Sequence, residues 1–429
     1  GRMTVSLHFS GKLPALYVLD MGKASPQPSE TAEAVLAAAR SCGMSAEYMD
    51  CSTTGSRYSI SDRSIVVASL SESLVKSSLR HIQKSVSILE ASGFAEASAY
   101  VSSGNMIFVS NELSAKVLSS IFGNKYNSWI RFAPKVSDWT VFDLTEIGED
   151  ISLYGSLVTD GDQSDFISVF SRTGTASSKL SSVLPSNTLS AATLPVVNVA
   201  EYISAYHLFL DARQSLQTRQ TAIEALEKKT GISPVAYFAR LEPKEVATAS
   251  FMEGGKLERV NLIRVAKPDT LKNCASGAYP YKYMSFASAV FGNLYELPDE
   301  SSFTYLNGWL ISGSQAGVKA FSDGKAGQYT LKEFMVNAGM DDLFAGESAS
   351  FMAYLSLTED RGSLESMFSK PVAAALISES QDSDYSGIFI SAGQPKLPYA
   401  VSMSLFNKEV KKSKPVAERE VTVSVSKGP

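Results

Sequence analysis

The sequence predicts an α+β fold: two tandem copies of a mixed strand-and-helix unit with mostly antiparallel sheet. Three observations point there. Tight-turn signals at Glu253-Gly-Gly-Lys256 and Asn307-Gly308 sit between β-rich arms, which is a hairpin pattern. Strand-like runs alternate with helical runs, and adjacent hairpins mixed with helices favour antiparallel pairing. Finally, stretches of one half recur in the other at a nearly constant spacing.

The elements follow in order. In the first copy, strands are expected at Leu16–Asp20, Ile65–Leu70, Met106–Ser110, Trp139–Leu144 and Ser152–Thr159. Helices are expected at Glu30–Arg40, Ser71–His81 and Ser114–Phe122. The second of these has its own start signal: Ser71 stands three residues before Leu74, where a serine accepts a bond from an orphan N–H. Leu70, Leu74, Leu79 and Ile82 then keep an approximate helical stripe. In the second copy a long helix is expected from Val199 to about Lys228. Val246–Val265 reads as one hairpin, and Ser302 onward as another. The tail Val416–Lys427 alternates Val with polar residues and reads as a last strand that closes a sheet edge.

The repeat is assembled from four correspondences. RYSISDRSIVVASLSES, from Arg57, parallels SFTYLNGWLISGSQAG, from Ser302, with turns at Asp62-Arg63 and Asn307-Gly308. Asn105–Ser110 parallels Ser350–Leu355, and Leu118–Phe122 parallels Leu364–Phe368. LVTDGDQSDF, from Leu157, parallels LISESQDSDY, from Leu376, at a shift of 219 instead of about 245. That change implies roughly 27 extra residues in the first copy after Phe122. More weakly, Leu16–Asp20 resembles Leu194–Asn198. The expected division is 1–183 and 184–429, the second copy carrying an aromatic-rich insertion near 267–300.

Composition narrows the function classes. A net charge of −5 argues against a dedicated nucleic-acid surface. Charged residues make up 19%, below the usual quarter, while serine is roughly one residue in six. The surface is therefore rich in neutral hydroxyls. No run of eighteen apolar residues occurs, so no membrane-spanning helix is expected. Cys42, Cys51 and Cys274 form neither a disulfide framework nor a zinc pattern, although a Cys42–Cys51 bridge stays open. His8, His81 and His207 are far apart. No metal or cofactor is called for.

Ser73-Leu-Val-Lys76, Ser103-Gly-Asn105 and Lys229-Thr-Gly231 look like the three signatures of penicillin-recognising serine enzymes. The spacing Ser-x-x-Lys recurs at Ser322–Lys325 and Ser424–Lys427, which is about what such a serine-rich chain yields by composition. Lys229-Thr-Gly231 follows a helical stretch, where Gly is a helix stop rather than part of an edge strand. The capped-helix reading is preferred, with an unrecognised hydrolase as the alternative. Asp160-Gly-Asp162-Gln-Ser-Asp165 looks calcium-like but departs from the EF-hand spacing, so a solvated turn is expected.

The aromatic run from Tyr279 to Trp309 is the best candidate binding surface. Rings supply contact area and phenol groups supply direction. Tyr279, Tyr281, Tyr283 and Tyr295 are the candidate ligand-binding residues, at least two of them exposed together. The competing expectation is that the rings pack between the copies.

The Ser64–Leu74 turn into a helix and the Val183–Thr188 stretch opening the second copy resemble a family of envelope-associated bacterial proteins of uncharacterised function. The resemblance implies no activity and no catalytic residue. It does imply an extracytoplasmic setting, in the periplasm or on the cell surface. Gly1-Arg2-Met3 does not read as a natural start, so an anchoring segment upstream is expected. The resulting expectation is a non-enzymatic envelope protein that binds a protein or polymer partner.

Overall fold

The computed structural model describes residues 2–8, 14–51, 62–84, 86–100, 105–147, 151–161, 163–266, 285–338, 341–346, 348–357, 360–379 and 387–406. The fold is α+β, and every strand pairing among these residues is antiparallel.

A small sheet comes first. It contains β1 (Met3–Leu7), β2 (Ala15–Lys23), β3 (Ser45–Asp50) and β4 (Arg63–Ser69), in the order β1-β2-β4-β3. The central strand β4 is apolar on both sides, so it needs cover on both faces. Helix α1 (Glu30–Ser41) packs Ala32 and Leu36 against Val66 and Ala68. Helix α2 (Glu72–Gln83) packs Val75 against Ile65 and Val67 on the other face. Serine caps open both helices: Ser29 accepts from the Ala32 N–H at 3.2 Å, and Ser71 from the Leu74 N–H at 3.4 Å.

The large sheet has eleven strands: β5 (Met106–Ser110), β6 (Trp139–Ile147), β7 (Ile151–Val158), β8 (Thr188–Pro195), β9 (Pro243–Glu253), β10 (Lys256–Val265), β11 (Ser302–Leu306), β12 (Trp309–Gly313), β13 (Phe351–Ser356), β14 (Gly387–Gln394) and β15 (Leu397–Phe406). Their order is β11-β12-β10-β9-β8-β13-β14-β15-β7-β6-β5. Two tight turns use left-handed backbone: Gly254 and Gly255 at φ 57° and 74°, and Asn307 and Gly308 at φ 50° and 85°. These are hairpin turns whose twist suits antiparallel arms.

Alternation along the strands builds two cores. On one face Leu194, Val246, Ile263 and Leu310 meet aromatic residues from α6 (Ile167–Thr173), α7 (Val199–Ala212), α9 (Pro234–Leu241) and α10 (Phe286–Phe291). On the other face Ala191, Ala249, Leu262 and Ile311 meet Phe321 of α11 (Gln315–Ser322), Met335 of α12 (Leu331–Asn337) and Phe344 of α13 (Leu343–Gly346). A third cluster gathers Ile130 of α5 (Asn127–Phe132), Leu364 of α14 (Arg361–Met367) and Ala373 of α15 (Lys370–Glu379). Helix α3 (Phe94–Ala99) covers Trp139 and Val141, and α4 (Asn111–Ile121) follows β5.

Two expectations are corrected. The long helix from Val199 to Lys228 is broken at residues 213–215, where Gln214 has φ 54°, and it continues as α8 (Leu216–Thr230). Helix α7 buries Tyr202, Ala205, Tyr206, Phe209 and Leu210, whereas no residue of α8 is buried. One straight rod would carry the polar α8 stretch along the buried path of α7. The second correction concerns the match of Leu157 with Leu376. Leu157 lies in strand β7 and Leu376 in helix α15, so the shift of 219 aligns unlike elements. Phe122 to the start of β6 is about as long as Phe368 to the start of β14, which leaves no place for the expected insertion of roughly 27 residues. Serine and aspartate turn composition had produced that resemblance. The arm Arg57–Ser61 and the tail Val416–Lys427 lie outside the described residues.

Candidate functional site

The residues flagged as a serine-enzyme set are placed apart, in structural roles. Ser73 lies on the exposed side of α2, 3.0 Å from the Ser71 hydroxyl. Lys76 pairs with Glu72 at 2.5 Å, one helical turn away and exposed. Gly231 ends α8 in left-handed backbone at φ 74°, its N–H donating to Glu227 O at 2.7 Å. Ser103 and Gly104 lie outside the described residues. Ser73 belongs to the small sheet's helix and Lys229 to a helix beside the large sheet, so one active site does not form from them.

The aromatic candidate divides. Tyr279, Tyr281 and Tyr283 lie outside the described residues. Tyr295 is fully buried, at 0% exposure. Its hydroxyl donates to Val246 O at 2.9 Å, and its own carbonyl accepts from the Asn261 side-chain N–H at 2.8 Å. Burial holds its phenol well above the ordinary value, so it stays neutral. Tyr295 is a core residue tying the segment after α10 to β9 and β10, so the expectation that its ring is among those exposed is corrected. Its neighbours Phe286, Phe291 and Leu294 are buried beside it. The packing expectation describes this end of the aromatic run.

The acidic turn is partly described. The Asp160 N–H donates to Asp138 Oδ2 at 3.3 Å, and Arg213 Nη2 lies 3.6 Å from Asp165 Oδ1. Burial pushes the Asp165 carboxyl up to about 6; the nearby Asp138 charge pushes the same way, while Thr159 and Arg213 oppose it. Asp162 lies outside the described residues. Cys42 and Cys51 are not joined: Cys42 is exposed, and burial raises the Cys51 thiol above its ordinary value. Among the described residues no helix is long and apolar enough to cross a membrane.

Two concavities are open to solvent. One, of about 610 Å³, lies between α14 and α15 and is lined by Arg361, Glu365, Lys370, Ala373, Ala374 and Ile377. The other, of about 320 Å³, lies near Asn187, Glu253, Lys325 and Tyr329. In each, a surface ion pair closes part of the rim: Arg361 with Glu365 at 2.8 Å, and Lys325 with Glu253 at 3.2 Å.

A different feature converges better. Among the described residues strand β1 pairs with β2 alone, and β1 is an edge of the small sheet. Asp20 N–H donates to Arg2 O at 2.9 Å, and His8 N–H to Pro14 O at 3.2 Å. By the alternation of an antiparallel ladder, the backbone groups of Met3, Val5 and Leu7 therefore point away from β2. Their side chains are 63%, 47% and 63% exposed. The strand reads Met-Thr-Val-Ser-Leu, without the charge or proline that usually blunts an edge. An uncharged, apolar, unpaired edge is a template for another strand. Sequence reading missed this site because β1 is short and its exposure is a property of sheet order.

No known protein family, curated protein or solved structure matches the chain.

Proposed function

We propose that this protein works by binding rather than by catalysis, as a non-enzymatic component of a bacterial cell envelope that holds a protein partner by strand addition. The observation that carries this reading is the outer edge of β1, which offers backbone hydrogen-bonding groups and three exposed apolar side chains on one short strand. Main-chain pairing supplies affinity, and alternate side chains supply selectivity. The hydroxyl-rich, cysteine-poor composition supports the extracytoplasmic setting, as does the sequence resemblance to envelope proteins.

The test is a photo-crosslinking residue at Val5, compared with one at Leu397, an exposed apolar position on another strand. The expected result is a defined adduct from Val5 and none from Leu397. Equal labelling from both positions, or none from Val5, overturns the reading.

A further inference from the structure

The strand orders show how the chain completes its sheets. The first seven strands stand as β1-β2-β4-β3 and β5-β6-β7; strands nine to fifteen stand as β9-β10-β12-β11 and β13-β14-β15. The two sets therefore share one order. Helices fall at matching places: α1 and α10 follow the second strand, α2 and α11 the fourth. Faces match too. A constant offset of 244 takes Leu16, Ile65 and Val67, under α2, to Val260, Trp309 and Ile311, in the cluster that Phe321 of α11 joins.

The sets also meet reciprocally. Strands β7 and β15 pair antiparallel. Phe122 stacks on Phe368 with centroids 5.4 Å apart, while Gly123 N–H donates to Met367 O at 2.9 Å and Ser369 N–H to Ile121 O at 2.7 Å. Each side makes the same bonds to the other, as at a two-fold contact between like units.

Strand β8 stands outside this correspondence. It follows the first set in the chain, yet it lies between β9 and β13 of the second, antiparallel to both. All eight of its residues are buried, so it staples that set's two halves. Among the described residues no strand does the same between β1 and β5. After the second set the sequence runs Val421-Thr-Val-Ser-Val-Ser426, which alternates Val with hydroxyl residues as an edge-seeking strand should. Residues 407–420 precede it, a span of up to about 45 Å if extended.

We infer that the seven-strand unit occurs twice, over 3–158 and 243–406, and that Val421–Ser426 of a second copy of this chain adds to the outer edge of β1 as β8 adds to β9. This rests on the reading of β1 as a binding edge and names its partner. Strand β8 completes the unit that follows it, not the one it leaves; by the same rule Val421–Ser426, which follows the second unit, would complete the first unit of another molecule. Val421, Val423 and Val425 share one face of such a strand and can pack beside Met3, Val5 and Leu7. The contact is head-to-tail, so it builds rings or open chains of molecules.

The experiment is sedimentation velocity of the intact chain over a concentration series, with amide exchange read at Met3, Val5 and Leu7. The variant is Val423→Pro, since proline removes a backbone donor that a ladder needs. The intact chain is expected to associate as concentration rises, with exchange at these amides slowing about tenfold. Val423→Pro should stay monomeric and exchange fast, and a peptide of residues 420–427 should restore protection to it. Three results overturn the inference: an intact chain that exchanges like the variant, association that survives Val423→Pro, or a monomer whose β1 amides are protected by its own tail. A Val5 adduct with an unrelated protein that ignores Val423→Pro would remove this inference and leave the binding-edge reading standing.

Discussion

Tyr295 shows what one residue type means in two settings. Four tyrosines in an aromatic run suggest an exposed surface, but the phenol of Tyr295 instead donates to Val246 O deep in the sheet. Tyr295→Phe should therefore cost about 1 kcal/mol of stability by chemical denaturation, the worth of one buried hydrogen bond. The serines of α2 divide the same way. Ser71→Ala removes the cap and should cost about 1 kcal/mol, while Ser73→Ala, on the exposed face, should change stability by less than about 0.5 kcal/mol. Comparable losses from both serines would contradict the capping geometry. Asp165 carries a pH prediction. Its folded carboxyl titrates near 6, above its unfolded value, so the folded state holds the extra proton. Its contribution therefore favours folding at low pH and is lost as pH rises through about 6. Melting temperatures of wild type and Asp165→Asn should diverge across pH 4 to 6 with that sign, and parallel curves would exclude it.

At the scale of elements, much was legible where local chemistry decides. Met106–Ser110 is a strand with its expected bounds, and the turns at Gly254-Gly255 and Asn307-Gly308 are where glycine and asparagine demanded them. The break between α7 and α8 was not legible, because both stretches have acceptable helical residues and only burial separates them. Nor was the central place of β8 legible: Thr-Leu-Ser-Ala-Ala-Thr-Leu-Pro has mostly small residues and three hydroxyls among its eight, yet every residue is buried. Thr188 bonds locally to Pro185 O, but Ser190 and Thr193 are satisfied by partners distant in sequence. Thr193 donates to Glu245 Oε1 at 2.9 Å, where the Ser178 hydroxyl also bonds. Lys179 N–H and Arg264 Nε each reach Glu245 Oε2 at 3.1 Å. This fully buried carboxylate joins β8, β9, β10 and the stretch before β8. Glu245→Ala leaves those donors unanswered and should cost about 3–5 kcal/mol. Glu245→Gln, which keeps some of the acceptors, should cost less, and the order of the two in urea midpoints is the check.

Over the whole molecule, the eleven-stranded sheet and the four-stranded sheet differ in how they are tied in. The large sheet runs unbroken through the β7–β15 pairing, so strands from both ends of the chain share one hydrogen-bonded array. The expected division at 183/184 does not separate the sheets, since β5, β6 and β7 stand in the same array as β8 to β15. The small sheet instead buries its apolar residues in two clusters drawn, among the described residues, wholly from 16–82. A structure with separate cores is free to lose one without the other. Denaturant unfolding of the intact protein is expected in two steps, the first confined to residues 2–84. Amide exchange should report it as loss of protection at Val66 and Val67 while Ala191 and Ala249 stay protected. Phe368→Ala, stacked on Phe122 in the third cluster and 5% exposed, should shift only the second step, by about 3–5 kcal/mol. Val67→Ala, at the centre of the small sheet, should shift only the first. A single transition moved equally by both variants would mean that the two sheets are coupled more tightly than their separate cores imply.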